Sequence, residues 1–586
     1  MTGIPGDLKP VTAIEDTAVA VEDLPAYLRD IRALLSRHDC ECVFYGHASV
    51  GVIHLRPMLN LRDAGDLEKF TRILEETADL VRRYGGSLSG EHGDGRLRSA
   101  YLSRMFSPGV YALLERIKGL FDPHGLLNPR KIVRPVSPVE ALRVGPGTPL
   151  VEPKTMFDWS RTKGFVRAVE ACNGSAFCRQ GAGRGGMCPA FMATGEEAAT
   201  TRARANVLRQ WFHGPAPERT WTAPEVWAVL DTCVSCKACA TECPSSVDMA
   251  RIKAEVLHRR IRRRGASPRD ALFAFYALGA RLACVAPSQA SWLTNRRWVK
   301  RMLGIAPERT LPPFAARTFS SWFRRRAHPA IASARGEVAL FVDEFTEYME
   351  PEVGAAALEV IEAFGWRVRP VIGLESGRSH ISKGFLRTAR RHMTAAVRRL
   401  AVEARGGRLI VGLEPSALLG LRDEAPDLVR REYRADAEAV RAAARLFPEW
   451  VAERAAEGDA AGVVFGPLPA PTMLVHGHCH QKAIGKPNVL RVALELIPGL
   501  RIEELPTACC GMAGAFGYER EHYALSMRMG EQVLFPALRR RPDALVCADG
   551  LSCRHQIADG TGRRARHSAA WLRDALRAAA TSSDRD

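Results

Sequence analysis

Four cysteines stand in "CVSCKACATECP": Cys233, Cys236, Cys239 and Cys243, with Pro244 after the last. The C-x2-C-x2-C-x3-C-P spacing suits a [4Fe–4S] cubane. Three thiolates on a tight loop grip three corners, and the fourth Cys usually reaches the other cluster of a pair. A zinc site is the alternative. Upstream, "CNGSAFC" holds Cys172 and Cys178 with Ser175 at the middle place, and Cys188-Pro189 follows a glycine-rich loop. Aligned on the complete run, cross-ligation assigns one cluster to Cys233, Cys236, Cys239 and Cys188. Cys172, Cys178 and Cys243 are left for a second cluster that lacks a thiolate. That set suits a [3Fe–4S] cluster, a [4Fe–4S] cluster with a non-thiolate ligand, or no cluster, with the cysteines as residual buried thiols.

A third set is Cys479, Cys509, Cys510 and Cys553, flanked by His476, His478 and His480. Adjacent cysteines serve one tetrahedral zinc poorly beside two distant ones. An iron–sulfur assembly or a redox pair suits them better, with zinc still open. The histidines are ligands, proton donors or polar packing, and Cys547 is unassigned. Near the N-terminus, "YGHASVGVIHLRP" carries His47 and His54, and "SLSGEHGDGRLR" carries Glu91 and His92. Singly, such histidines are ordinary core residues. Together, two imidazoles and a carboxylate make a divalent-ion site with open positions. His92, pointing away from the ligands, is then free as a base.

The elements that must position these residues follow from composition and pattern. The chain has 586 residues, 46% hydrophobic and 25% charged, enough for roughly four domains. Its 15 cysteines fall mostly in tight groups. Without a basic, apolar leader, that grouping favours metal ligation in the cytoplasm over disulfides. The most apolar run, residues 271–286, is short and carries Arg281, which excludes a membrane span.

Net charge is +18, with arginine runs at 258–265, 295–302 and 324–328. These runs read as solvated helix faces, or as docking on an anionic membrane or an acidic partner. Trp292, Trp298, Met302 and Leu303 would form one interfacial face. No nucleic-acid motif accompanies the charge.

The fold class is α+β and multidomain. Residues 1–133 mix strands (VTAIEDTAV, 11–19) and helices (67–85), and 134–154 form a Pro/Gly linker. Residues 155–265 form a helical cluster domain, 266–335 a basic helical connector, and 336–586 an α/β region with strands at VALFV, RLIVGL, TMLVHG and DALVCA. In that region LIVGLEPSA aligns with LVCADGLSC. Phe345, Glu375, Ser376 and Ala417 then fall opposite Cys479, Cys509, Cys510 and Cys553. This predicts a duplicated domain whose first copy has lost every thiolate.

The pattern GHASVGVIHLRP … SGEHGDG … FDPHGLLNPRK resembles the C-terminal part of FAD-linked oxidases of the vanillyl-alcohol-oxidase type, which include D-lactate and D-2-hydroxyglutarate dehydrogenases. The resemblance implies His47, His54 and Glu91 as ligands of a divalent metal such as zinc, and His92 as catalytic base. It places Asn128 beside the flavin. The cysteine segments resemble the iron–sulfur and CCG domains of glycolate oxidase and heterodisulfide reductase, a branch in which Ser175 is ordinary. The resemblance further implies that the FAD-binding domain lies outside this stretch, on a longer chain or a partner subunit.

The expected function is FAD- and iron–sulfur-dependent oxidation of a D-2-hydroxy acid. Electrons would pass to a quinone, a cytochrome or a carrier protein, on the inner face of the membrane if the basic face docks there. The alternatives are an electron-transfer subunit without catalysis of its own, and a thiol enzyme centred on Cys509 and Cys510.

Overall fold

The computed structural model describes residues 4–327 and 334–583, so His328, which ends the third arginine run, lies outside the described residues. The described chain divides into two compact units. One runs to Val151 and includes Arg161–Lys163; the other comprises Glu152–Ser160 and everything from Gly164 onward.

The first unit is an antiparallel sheet under two helices. Its strands are β1 (Lys9–Pro10), β2 (Thr17–Ala18), β3 (Cys42–His47) and β4 (Val52–Leu59), and β4 pairs with the other three. Helices Leu24–Arg37 and Ala64–Arg83 turn Tyr27, Ile31 and Leu34, and Phe70, Ile73 and Leu74, onto Leu55 of β4. The second helix starts where the Asp63 carboxylate accepts the Asp66 amide. It ends before Gly85, whose φ is +62°.

The strand expected over residues 11–19 shrinks to Thr17–Ala18, because the chain turns through Asp16 (φ +81°) and buries that carboxylate. A third helix, Pro108–Phe121, buries none of its residues and exposes Val110, Leu113, Ile117, Leu120 and Phe121.

The second unit begins with short helices carrying the cysteine loops, among them Pro189–Thr194, Thr201–His213 and Ala238–Thr241, and the longer Met249–Arg264. Connector helices Pro268–Ala274, Tyr276–Ala283, Pro287–Thr294 and Arg297–Met302 follow. Two wholly parallel sheets complete the unit. Strands β5 (Gly336–Phe341), β6 (Trp366–Val371), β7 (Ile410–Gly412) and β8 (Ala444–Leu446) order as β6-β5-β7-β8, and β9 (Thr472–Val475), β10 (Arg501–Glu504) and β11 (Leu545–Cys547) as β10-β9-β11.

The central strands are continuous apolar runs because both faces are covered. One core joins the sheets, with Val338, Leu340, Trp450, Met473 and Val475 packed together. Cys547 sits in this core, fully buried at the end of β11. No helix among the described residues is long and apolar enough to cross a membrane.

Candidate functional site

In the first unit β3 and β4 form a hairpin with Tyr45 opposite His54 and His47 opposite Val52. The turn needs Gly51. Its φ is +71°, and a Cβ there would lie 2.0 Å from the Val19 carbonyl oxygen. Facing the hairpin is the 89–95 loop, held by Asp16. That carboxylate is fully buried and accepts from the His92 amide at 2.8 Å, the Glu91 amide at 3.1 Å and the Ser89 hydroxyl at 2.6 Å. Burial pushes its pKa up, but these donors outweigh burial and hold it below the ordinary value.

Three imidazoles converge on one carboxylate oxygen. Glu91 Oε1 lies 3.1 Å from His54 Nε2, 3.2 Å from His92 Nε2 and 3.5 Å from His47 Nε2. The His54 and His92 rings stack with centroids 5.1 Å apart, and His47 meets His54 edge-on. Donors around a zinc-type ion, with bonds of about 2.1 Å, sit roughly 3.4 Å apart, so the spacing and donor chemistry fit a divalent ion. The expectation that His92 points away is not met. Asp16 binds both adjacent amides, and the loop folds His92 toward the same oxygen as His47 and His54. Asn128 is not among these residues. It lies on an exposed segment with φ +46°, next to the uncovered helix Pro108–Phe121.

In the second unit Cys188, Cys233, Cys236 and Cys239 line one small cavity together with Arg204 and Lys237. Four thiols around one space suit a cubane. Glu242 draws the two cysteine loops together by accepting from the Gly186 amide at 2.9 Å and the Met187 amide at 3.0 Å. Burial raises the Cys236 and Cys239 thiols. At Cys233 burial is outweighed by Arg204 and Lys253, which hold the thiol low. Cys172, Cys178 and Cys243 are also buried. A hydrogen bond from Cys188 lowers the Cys178 thiol, so Cys188 adjoins members of both cysteine sets.

The remaining thiols form a chain in which Cys479 bonds Cys509, Cys509 bonds Cys510, and Cys510 bonds Cys553. These bonds lower Cys479 and Cys510 and raise Cys509 and Cys553. The ligand atoms of His476, Cys510 and Cys553 all lie within 4.8 Å of one another. His476 Nδ1 meets the Thr507 hydroxyl at 2.8 Å, and the buried ring also bonds the Cys510 thiol, helping to hold it low. An imidazole and two thiols this close fit a bound metal or cluster. Lys482 is an exposed residue whose ammonium reaches in to bond the Thr507 carbonyl; desolvation there lowers its pKa against the opposing pull of the four thiols. His478 caps the helix Cys479–Ile484. His480 Nε2 lies 3.0 Å from the carbonyl oxygen of Ser235, inside the "CVSC" loop.

A cavity of about 510 Å³ reaches both redox regions: Cys233 and Cys479 line it, with Phe273, Phe516 and Tyr518. His522 also lines it, between Asp231 at 2.9 Å and Glu519 at 2.7 Å. Burial works to lower its pKa, but the two carboxylates outweigh burial and hold it up at about 9. Sequence reading missed Asp16, Lys482 and His522. The only trace of Asp16 is an acidic residue within a strand-like run. Lys482 lies three residues after Cys479, inside the quoted segment, and gives no spacing signal.

Comparison with known proteins defines the class first. Residues 1–132 match the family "FAD linked oxidases, C-terminal domain", and residues 171–248 match the "4Fe-4S dicluster domain". The chain therefore combines an FAD-linked oxidase C-terminal domain with a 4Fe-4S domain. It is 27% identical over 613 residues to a D-2-hydroxyglutarate dehydrogenase of Escherichia coli (strain K12), covering 95% of this chain and 58% of that protein. The Pseudomonas putida dehydrogenase of the same name is 28% identical over 618 residues, with 96% and 58% covered. The chain thus spans a little over half the length of these relatives. It is 30% identical over 285 residues to a subunit of the anaerobic glycerol-3-phosphate dehydrogenase of Escherichia coli (strain K12), covering 48% of this chain and 69% of that subunit. By that likeness the chain belongs to the family of this dehydrogenase subunit.

Proposed function

We propose that this chain is the metal-, base- and iron–sulfur-bearing part of an FAD-linked dehydrogenase that oxidises a D-2-hydroxy acid such as D-2-hydroxyglutarate, D-lactate or glycolate. The observation that carries this reading is the convergence of His47, His54 and His92 on Glu91 Oε1 in a chain that also holds two buried thiol sets opening on one cavity. His47, His54 and Glu91 would hold a divalent ion, and such an ion would supply Lewis-acid polarisation of the substrate hydroxyl. Bound flavin supplies the two-electron acceptor. His92 would take the hydroxyl proton at Nε2, which must first part from Glu91 Oε1, 3.2 Å away, as that carboxylate turns to the ion; Asp16 holds the amides of both residues. Cys188, Cys233, Cys236 and Cys239 carry one [4Fe–4S] cluster, and Cys172, Cys178 and Cys243 hold a second. Cys479, Cys509, Cys510 and Cys553, with His476, carry a further iron–sulfur or zinc group.

In this reading the domains run 1–133, 155–265, 266–335 and 336–586, the last a duplication with one thiolate-bearing copy. Similar strand–turn–helix steps support the duplication: β7 leads to the helix Pro415–Asp423 and β11 to the helix Leu551–Thr561. The FAD-binding portion lies on a longer form of this chain or on a partner. The bare apolar face of Pro108–Phe121, near Asn128, is the surface it would cover. Electrons leave to a quinone, cytochrome or carrier protein that docks by the cavity. The exposed Trp292, Trp298 and Met302 of the connector support peripheral contact with a membrane.

The likeness to the glycerol-3-phosphate dehydrogenase subunit favours a second reading, an electron-transfer subunit whose first unit only completes a partner's domain. The test assays the purified chain, alone and with a flavoprotein portion, for iron, flavin and D-2-hydroxy-acid-driven dye reduction. Turnover that falls at least about 100-fold in His92→Ala supports the first reading. Unchanged turnover in that variant overturns it in favour of the second.

A further inference from the structure

The first α/β sheet carries a cluster that the proposed function does not use. Glu375 follows β6, His380 lies on the helix Arg378–Ser382, and His392 lies on the helix Leu386–Arg405. One ligand atom from each falls within 4.8 Å of the other two. His392 Nδ1 is 3.6 Å from a Glu375 oxygen, close to the roughly 3.4 Å between neighbouring donors on a zinc-type ion. The two imidazoles stack with centroids 4.9 Å apart, and Phe275 packs edge-on against His380 at 5.0 Å. His380 is 2% exposed, and its Nε2 is buried with no hydrogen-bond partner. A buried nitrogen lone pair or N–H without a partner is destabilising unless something binds it.

We propose that Glu375, His380 and His392 form a divalent-metal site of the zinc type, with a fourth position left to water. Two imidazole nitrogens and one carboxylate oxygen are the borderline-soft donor set that zinc takes. In the duplication reading, Glu375 stands where the second copy has Cys509. The first copy would then have exchanged a thiolate-held group for a redox-silent ion that pins the loop after β6 to two helices.

The experiment uses the full chain with its iron in place and a His54→Gln background, which removes the buried imidazole from the other candidate zinc site. After treatment with a chelator, Zn²⁺ alone is dialysed in and counted against iron. The expected result is about one zinc per chain that is lost in His392→Gln, with a zinc-dependent rise in melting temperature that disappears along with it. X-ray absorption at the zinc edge should show nitrogen and oxygen neighbours, including imidazole, and no sulfur. Zinc uptake unchanged by His392→Gln, or zinc bound through sulfur, overturns the site. Should His392→Gln lose iron or helicity, the absorption spectrum of the parent chain decides alone.

Discussion

Replacing Asp16 by Asn tests the histidine cluster most sharply, because the change is isosteric and leaves the side chains of His47, His54 and Glu91 in place. The carboxylate accepts from the Glu91 amide through Oδ1 and from the His92 amide and Ser89 hydroxyl through Oδ2. An Asn side chain has one acceptor oxygen. Its better rotamer serves His92 and Ser89 and turns its NH2 toward the Glu91 N–H. The Glu91 N–H then keeps only its longer 3.3 Å contact to the Oδ2 position and faces the NH2, a loss of about 1–3 kcal/mol, and the bonds that remain lose their charge assistance, about 1 kcal/mol more. The expected loss is therefore about 2–4 kcal/mol, confined to the 89–93 loop.

Hydrogen exchange should show it first, with the Glu91 and His92 amides opening about 30- to 1000-fold more often while amides in the core of the second unit stay unchanged. Divalent-metal affinity at the cluster should fall about 10- to 100-fold, the usual cost of losing a group that orients ligands. The native carboxylate is held below its ordinary value. Its contribution is thus present above the ordinary Asp pKa of 3.8 and is lost as pH falls through the lower folded value, a slope that the variant lacks. If exchange at Glu91 and His92 and metal affinity both match the native chain, Asp16 does not hold the loop and the reasoning fails.

Two further outcomes follow from the second unit. Cys188→Ala should remove about four iron atoms per chain. Cys547→Ala, in the core at the end of β11, should leave iron unchanged; equal iron in both variants refutes the assignment of Cys188 to a cluster. His522 is held up at about 9 against an ordinary 6.5, so its ion pairs stabilise fully below about 6.5 and fade as pH rises through 9. At about 1.4 kcal/mol per pKa unit the upper limit is about 3 kcal/mol, and roughly half that is expected beside a cavity open to solvent. Denaturant melts of His522→Asn should lack this slope between pH 6.5 and 9.5, and a slope equal to that of the native chain refutes it.

The elements that were legible in the sequence have strong local grammar. The helix Ala64–Arg83 shows a 3.6-residue apolar rhythm bounded by Asp63 and Gly85, and β5 and β9 are short apolar runs before polar turns. His47 and Glu91 could be named because glycines and other small residues flank them, whereas His54, buried between Ile53 and Leu55 of β4, is named through the family resemblance. Other features depend on contacts distant in sequence. Asp16 acts on residues more than seventy positions away, and His522 is charged because Asp231, far upstream, faces it. The run at 11–19 has the composition of a full strand because Val11, Thr12, Ile14, Thr17 and Val19 are β-branched. Burial of Asp16 forced a turn that propensity does not register.

The hydrogen bond from His480 to the Ser235 carbonyl spans 245 positions and joins the loop of one thiol set to the helix of another. It makes the two segments one unit of exchange. A chimera that imports "CVSCKACATECP" from a relative but keeps its own "HGHCHQKA" would inherit all the cysteines yet lose the fitted seam between them. Recombination within this family should therefore be tolerated near Val151, where the first unit's main stretch ends, and resisted between residues 233 and 480, where the boundaries of the sequence motifs fall inside a single mechanical part.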